Sequence, residues 1–212
     1  MLPKPILLYD QPFAPNPRRV NIFIAEKGLD IPRRSVDLMK GEHRSEAYLS
    51  RVGAAQVPAL ELEDGTVLCE TQAICRYLEA IRPEPNMMGA GPLETAVVEM
   101  WQRRVELGLF LAVGMCFRHT NPHMGDLEAQ VPEYGEEMRG RIGGYLEVLD
   151  QRLAGFEWIA TSRLTVADIT AFVAIDFMKV IKYPVPEHLE HLQAWLARMR
   201  ARPSTVLDKE ST

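Results

Sequence analysis

The segment Gln56-Val57-Pro58-Ala59-Leu60, followed across a short apolar hairpin by Glu70-Thr71-Gln72-Ala73-Ile74, decides the fold. A proline among strand-forming residues has no N–H for a sheet ladder, so it marks an edge, a bulge or a cis bond in a tight turn. Pro58 therefore ends one segment and heads a strand. Ala59-Leu60-Glu61-Leu62 and Thr66-Val67-Leu68-Cys69 flank Glu63-Asp64-Gly65, whose Asp-Gly step is a hairpin signal. Glu70-Thr71 then opens a helix. Backbone N–H groups and a hydroxyl at such a start suit a carboxylate, and the acidic side chain suits an ammonium.

Upstream, Ile6-Leu7-Leu8-Tyr9 is a short apolar run bounded by prolines and an aspartate, as in a buried strand. After a loop from Asp10, Asn16 reads as an N-cap with Pro17 at the first helical position, and Lys27-Gly28 closes that helix. Residues 31–38 read as a second strand entered through Pro32, and residues 39–52 as an irregular helical connection. The order strand, helix, strand, connection, hairpin, helix predicts a four-stranded mixed sheet. Arg82-Pro83-Glu84-Pro85-Asn86 and Gly89-Ala90-Gly91-Pro92 concentrate turn residues. They suggest an α/β domain over 1–82, a linker over 83–92 and an all-helical domain over 93–212. Residues 93–119 contain no proline and repeat apolar side chains at Val97, Trp101, Val105 and Leu109, as one long helix would. Further helices are expected over 135–153, from Thr165, and over 189–200. At the second of these, Thr165 and Asp168 fit a capping box in which Asp replaces the usual Glu or Gln, with Leu164 and Ile169 as a hydrophobic staple.

A chain of 212 residues with 47% apolar content can bury a substantial core. Its net charge of -5 and its basic residues, read as scattered or paired with acids, as in Arg18-Arg19 and Arg33-Arg34, without an extended basic stripe, argue against a nucleic-acid partner. The first residues show neither an apolar leader core nor a small-residue cleavage site, and no apolar run approaches a membrane span. A cytoplasmic protein without membrane association is expected. Three cysteines, Cys69, Cys75 and Cys116, form no Cys-x-x-Cys and read as reduced thiols, with Cys69 and Cys75 as packing residues. His119 and His123 have helical spacing, but Pro122 between them interrupts a shared face, so no metal is expected.

Together, Ala14-Pro15-Asn16-Pro17-Arg18-Arg19-Val20, Val57-Pro58, Glu70-Thr71 and Thr165-Val166-Ala167-Asp168 resemble a bacterial cytosolic-type glutathione S-transferase along essentially the whole chain. The resemblance implies an N-terminal thioredoxin-like domain followed by a helical-bundle domain. It also implies a homodimer, a role in detoxification, and glutathione as co-substrate with no prosthetic group. Pro58 is then expected to be cis, leaving the Val57 backbone to pair with the peptide-like ligand. By similarity to phi- and theta-like members, His43, Arg44 and Gln56 would hold the glycine end, and Glu70 and Thr71 the γ-glutamyl end. Arg44 stands where the pattern has lysine, and Thr71 where it has serine.

A thiol with pKa near 8.5 is only a few per cent thiolate at neutral pH, and lowering it by about two units needs roughly 2.7 kcal/mol of preferential thiolate stabilisation. A helix N-terminus supplies about 0.3–1 kcal/mol, and at best about 2, so a directed hydrogen bond worth about 1.5–3 kcal/mol is needed as well. The usual hydroxyl position falls on Ala14, which cannot donate. Ala14-Pro15-Asn16 looks like the Thr-Pro-Asn loop of nu-class members, making the Asn16 amide the leading donor; Tyr9, at the end of the first strand, is the second. Phe13, Phe110, Met115, Phe117, Arg118 and Tyr134 are candidates to meet the second, electrophilic substrate. Two other readings stay open: a glutathione-dependent disulfide or peroxide reductase, and a transferase-like module that binds without catalysis.

Overall fold

The structure is a computed structural model and describes residues 2–127 and 129–206. Strand β1 (Pro5–Asp10) leads through α1 (Pro15–Glu26) to β2 (Arg33–Ser35), α2 (Glu46–Val52), the hairpin β3 (Ala59–Leu62) and β4 (Val67–Leu68), and α3 (Thr71–Ile81). The sheet order is β2-β1-β3-β4, with β2 parallel to β1 and the other pairs antiparallel. This is the mixed four-stranded sheet the element order predicts. Leu8 pairs with Leu60 and Tyr9 with Ala59, so fully buried Leu8, Ala59 and Leu60 occupy the sheet centre. Helix α1 adds Val20, Phe23 and Ile24 at the spacing of one helical face.

Strand directions position the site. The C-terminal ends of β1, β2 and β4 and the head of β3 all lie at one end of the sheet. Helices α1 and α3, which follow β1 and β4, start there too, so their N-terminal backbone groups gather beside Pro58.

Several local expectations need correction. Helix α1 begins at Pro15 with Ala14 as its cap, so Asn16 is the second helical residue and Pro17 the third. Either proline suits a first turn, because its missing N–H has no intrahelical partner to lose. Strand β2 spans only Arg33–Ser35; beside it the Leu8 N–H donates to the Pro32 carbonyl and the Val36 N–H to the Asp10 carbonyl, each at 2.8 Å, and close the short pairing with β1 at its two ends. Arg18 and Arg19 are buried, 8% and 2% exposed, whereas a charge pair on a helix ordinarily faces water.

The chain divides into two compact units. One runs to Asn86 and takes back the chain from Pro203; the other is Met87–Arg202. The return is tied by Arg18, which donates from Nη2 to the Thr205 carbonyl at 3.4 Å, and by the Ser204 hydroxyl, which donates to Glu26. Buried Lys27 holds the end of the first unit, donating to the carbonyls of Pro83 at 3.2 Å and Pro85 at 2.6 Å.

The second unit contains α4 (Gly91–Arg104), α5 (Leu111–Thr120), α6 (Pro132–Leu153), α7 (Val166–Phe177) and α8 (Glu190–Arg200). Instead of a single regular helix, α4 and α5 are joined through a π-helical turn, Val105–Phe110. Such a widened turn leaves no proline-like mark in sequence. Gly108 lies within it, where an added Cβ would come within 2.7 Å of the Tyr145 ring. Helix α7 is the core of the unit, and Thr165 and Asp168 form its capping box. The fully buried Asp168 carboxylate accepts from the Thr165 N–H and hydroxyl, each at 2.9 Å, from the Ile159 N–H at 2.9 Å and from Trp195 Nε1 at 3.1 Å.

Candidate active site

The Val57–Pro58 peptide bond is cis. Strand β3 begins only at Ala59, so the N–H and C=O of Val57 lie outside the ladder, beside the starts of α1 and α3. Tyr48 donates its hydroxyl to the Gln56 carbonyl at 2.7 Å and pins the approach to this turn. Burial, followed by the neighbouring Cys69 and Tyr9, pushes the Tyr48 phenol up to about 12, so it remains a donor.

The Gln56 side chain donates from Nε2 to Glu70 Oε1 at 2.8 Å, joining the residue before Val57-Pro58 to the cap of α3. Glu70 has φ 68 and ψ 119, a backbone region costly for a residue with a side chain. That conformation presents an exposed carboxylate directly before the first-turn N–H groups of α3. Thr71 itself is 6% exposed. An anion acceptor and an ammonium acceptor thus stand side by side.

At the start of α1, Pro15 and Pro17 carry no N–H, and the Arg18 N–H is used by the Ala14 carbonyl at 3.1 Å. Asn16 supplies the remaining donors of this first turn. Its side chain is exposed, and its Oδ1 accepts from Arg19 Nη1 at 3.1 Å. The amide nitrogen has no protein partner among the described residues.

Tyr9 is engaged elsewhere. Its ring is 4% exposed, packs edge-on against Tyr48 at 5.7 Å, and its hydroxyl donates to Glu61 Oε2 at 2.8 Å. Burial and then the Glu61 hydrogen bond raise its pKa. Arg51 completes the group by pairing with Glu61, whose carboxyl it holds below the ordinary range. Cys69 is half-buried, and burial raises its thiol pKa, so it makes a poor rival nucleophile.

His43 and Arg44 lie on a 3-10 turn, Glu42–Arg44, in the connection that leaves the same end of the sheet after β2. His43 Nδ1 is buried without a hydrogen-bond partner among the described residues. Its pKa is lowered, first by burial and then by Arg44. Arg44 is exposed.

Among the electrophile-site candidates, Phe13 is 51% exposed in the first unit. In the second, Phe117 packs edge-on against Phe177 at 5.2 Å, and Tyr134 against His119 at 5.2 Å. Phe110 and Met115 are half-buried and Arg118 is exposed. No group of three His, Cys, Asp or Glu suited to a metal occurs among the described residues. Arg19 is the site neighbour that sequence reasoning overlooked; its three-residue spacing from Asn16 on a helix was the available signal.

Residues 8–86 match the family described as "Glutathione S-transferase, N-terminal domain", and residues 110–203 the one described as "Glutathione S-transferase, C-terminal domain". The chain is 36% identical over 203 residues to "Glutathione S-transferase 2" of Saccharomyces cerevisiae, covering 94% of this chain and 87% of that relative. A solved glutathione S-transferase domain-containing protein of Marinobacter aquaeolei matches with a TM-score of 0.91 at 41% identity, covering 95% of this chain and 100% of the other. Gtt2 from Saccharomyces cerevisiae matches at 0.89 with 35% identity, covering 94% and 98% of the two chains. With these matches running through both units, the chain belongs to the glutathione S-transferase family.

Proposed function

We propose that this protein binds glutathione at the end of the β-sheet and directs its thiolate at the electrophilic carbon of a small molecule. The observation that carries the reading is the convergence of cis Val57–Pro58, the Gln56–Glu70 pair and the starts of α1 and α3. Glutathione fits this set group by group. The Val57 backbone pairs with the cysteinyl peptide unit, Glu70 takes the γ-glutamyl ammonium, and Thr71 with the α3 N–H groups takes the adjacent carboxylate. His43 and Arg44 take the glycine carboxylate.

The reaction asks little of the protein beyond ionisation and placement. The thiol proton leaves to solvent, and the Asn16 amide donates to the resulting thiolate. The sulfur lone pair then forms the carbon–sulfur bond as a leaving group departs with its electron pair or as the attacked carbon's π electrons move onto the substrate. Tyr9, already donating to Glu61, takes no part. The protein works as a cytoplasmic homodimer in detoxification. Its dimer face is the exposed apolar row of Leu93 and Met100 on α4, continued by Leu107 in the π-helical turn, at intervals of seven residues.

The test is a glutathione titration followed by thiolate ultraviolet absorbance, with conjugation rates measured in parallel. The bound thiol pKa should fall by about two units from about 8.5. Asn16→Asp, which keeps an acceptor for Arg19 but removes the donor, should raise that pKa and slow conjugation most near pH 6.5. Undiminished activity in folded Asn16→Asp would eliminate Asn16 as the donor. Binding without a pKa change, together with no activity on several electrophile or disulfide classes, would leave a binding module.

A further inference from the structure

We infer that Arg19 is the positioning residue of the thiolate site: its buried guanidinium holds the Asn16 carboxamide by the oxygen and so turns the amide N–H groups outward to the glutathione sulfur. The inference rests on the reading of Asn16 as the thiolate donor.

A guanidinium offers only donors, so the carboxamide atom facing Arg19 Nη1 at 3.1 Å must be the oxygen. Asn16 and Arg19 lie three residues apart on one helix, which fixes the approach. The two ends of the contact differ in the way an anchor and a presented group should: Arg19 is 2% exposed, while Asn16 is exposed. An unanchored amide rotates, and in half of its orientations it offers a thiolate an oxygen that repels it. Orientation matters more here than at an ordinary helix start, because Pro15 and Pro17 remove two backbone donors and Ala14 takes a third.

The test is a double-mutant cycle read as the pKa of bound glutathione. Arg19→Gln should raise that pKa by about one unit, a roughly fivefold loss of thiolate near pH 6.5, with KM for glutathione changed by less than about twofold. Arg19→Lys, which keeps the charge and a donor, should recover most of the loss. In an Asn16→Ala background neither substitution should shift the pKa further. A shift of equal size in that background would show that Arg19 acts through its charge alone and would overturn the positioning role. If Asn16→Ala raises the pKa and folded Arg19→Gln does not, the positioning role falls and the donor reading stands; if Asn16→Ala leaves it unchanged, the donor reading itself fails.

Should the Arg19 variants not fold, the side-chain amide NMR signal of Asn16 in the unmodified protein decides. Its two protons should be separately resolved, exchange slowly with one another, and shift more on adding glutathione than on adding S-methylglutathione. Averaged protons that ignore both ligands would overturn the inference.

Discussion

Tyr9 donates its hydroxyl to Glu61 across 2.8 Å, within a buried contact between neighbouring strands. The phenol that could have served a thiol instead serves a carboxylate, and its raised pKa makes it a neutral donor. Tyr9→Phe should therefore leave the bound glutathione pKa and the conjugation rate within about twofold of the parent, while lowering stability by about 1.5 kcal/mol for the lost bond to a charged group. Chemical denaturation and a rate profile against pH measure both. A large rate loss in a folded Tyr9→Phe protein would return Tyr9 to the catalytic site.

Glu70 combines an unfavourable backbone conformation with the proposed ammonium contact. Glu70→Ala and Glu70→Gly should each weaken glutathione binding by about tenfold to a hundredfold, the loss of one charge-assisted hydrogen bond. They should differ in stability: glycine tolerates φ 68, so Glu70→Gly should exceed Glu70→Ala by about 1 kcal/mol. Thr71→Ala should also weaken binding. Calorimetric titration and thermal unfolding read the two effects, and unchanged affinity in all three variants would remove the γ-glutamyl site from this helix start.

These residues show what a single sequence reveals. Pro58, the Asp64-Gly65 turn and the Thr165–Asp168 box were legible because their constraints are local: a missing N–H, a turn geometry, a side chain reaching back one turn. Asn16 was misplaced because Pro15 and Pro17 can each open a helix and cap preference favoured Asn over Ala. The burial of Arg18 and Arg19 was hidden because it depends on distant chain, including the carbonyl of Thr205. For the same reason, residues near the site could be named by resemblance, but the Gln56–Glu70 and Arg19–Asn16 contacts required three dimensions.

His43 gives the site a pH dependence with a definite sign. Burial and Arg44 lower its pKa in the free protein, so at neutral pH it is uncharged. A bound carboxylate favours the imidazolium and would raise that pKa, so affinity should increase as pH falls below about 6.5 and level off once the free protein is also protonated. S-methylglutathione is the appropriate probe because its sulfur does not titrate. Its dissociation constant should fall about threefold to tenfold between about pH 7.5 and about pH 5.5 in the parent, and much less in His43→Gln. An identical dependence in the two proteins would separate His43 from the glycine carboxylate.

Leu93, Met100 and Leu107 are 79%, 40% and 60% exposed, an unusual cost for three large apolar side chains on one helix face. Seven residues advance an α-helix by almost two full turns, so the three form a row, and Leu107 continues it into the π-helical turn. A second copy laid against that row would bury all three. Met100→Glu combined with Leu107→Glu should place like charges inside the contact and shift the protein from dimer to monomer in sedimentation velocity at micromolar concentration, with helix content unchanged. A control at exposed Val148, on a different helix, should leave the dimer intact when changed to Glu. If the double variant sediments as a folded dimer, the contact between copies lies elsewhere and the exposed row needs another explanation.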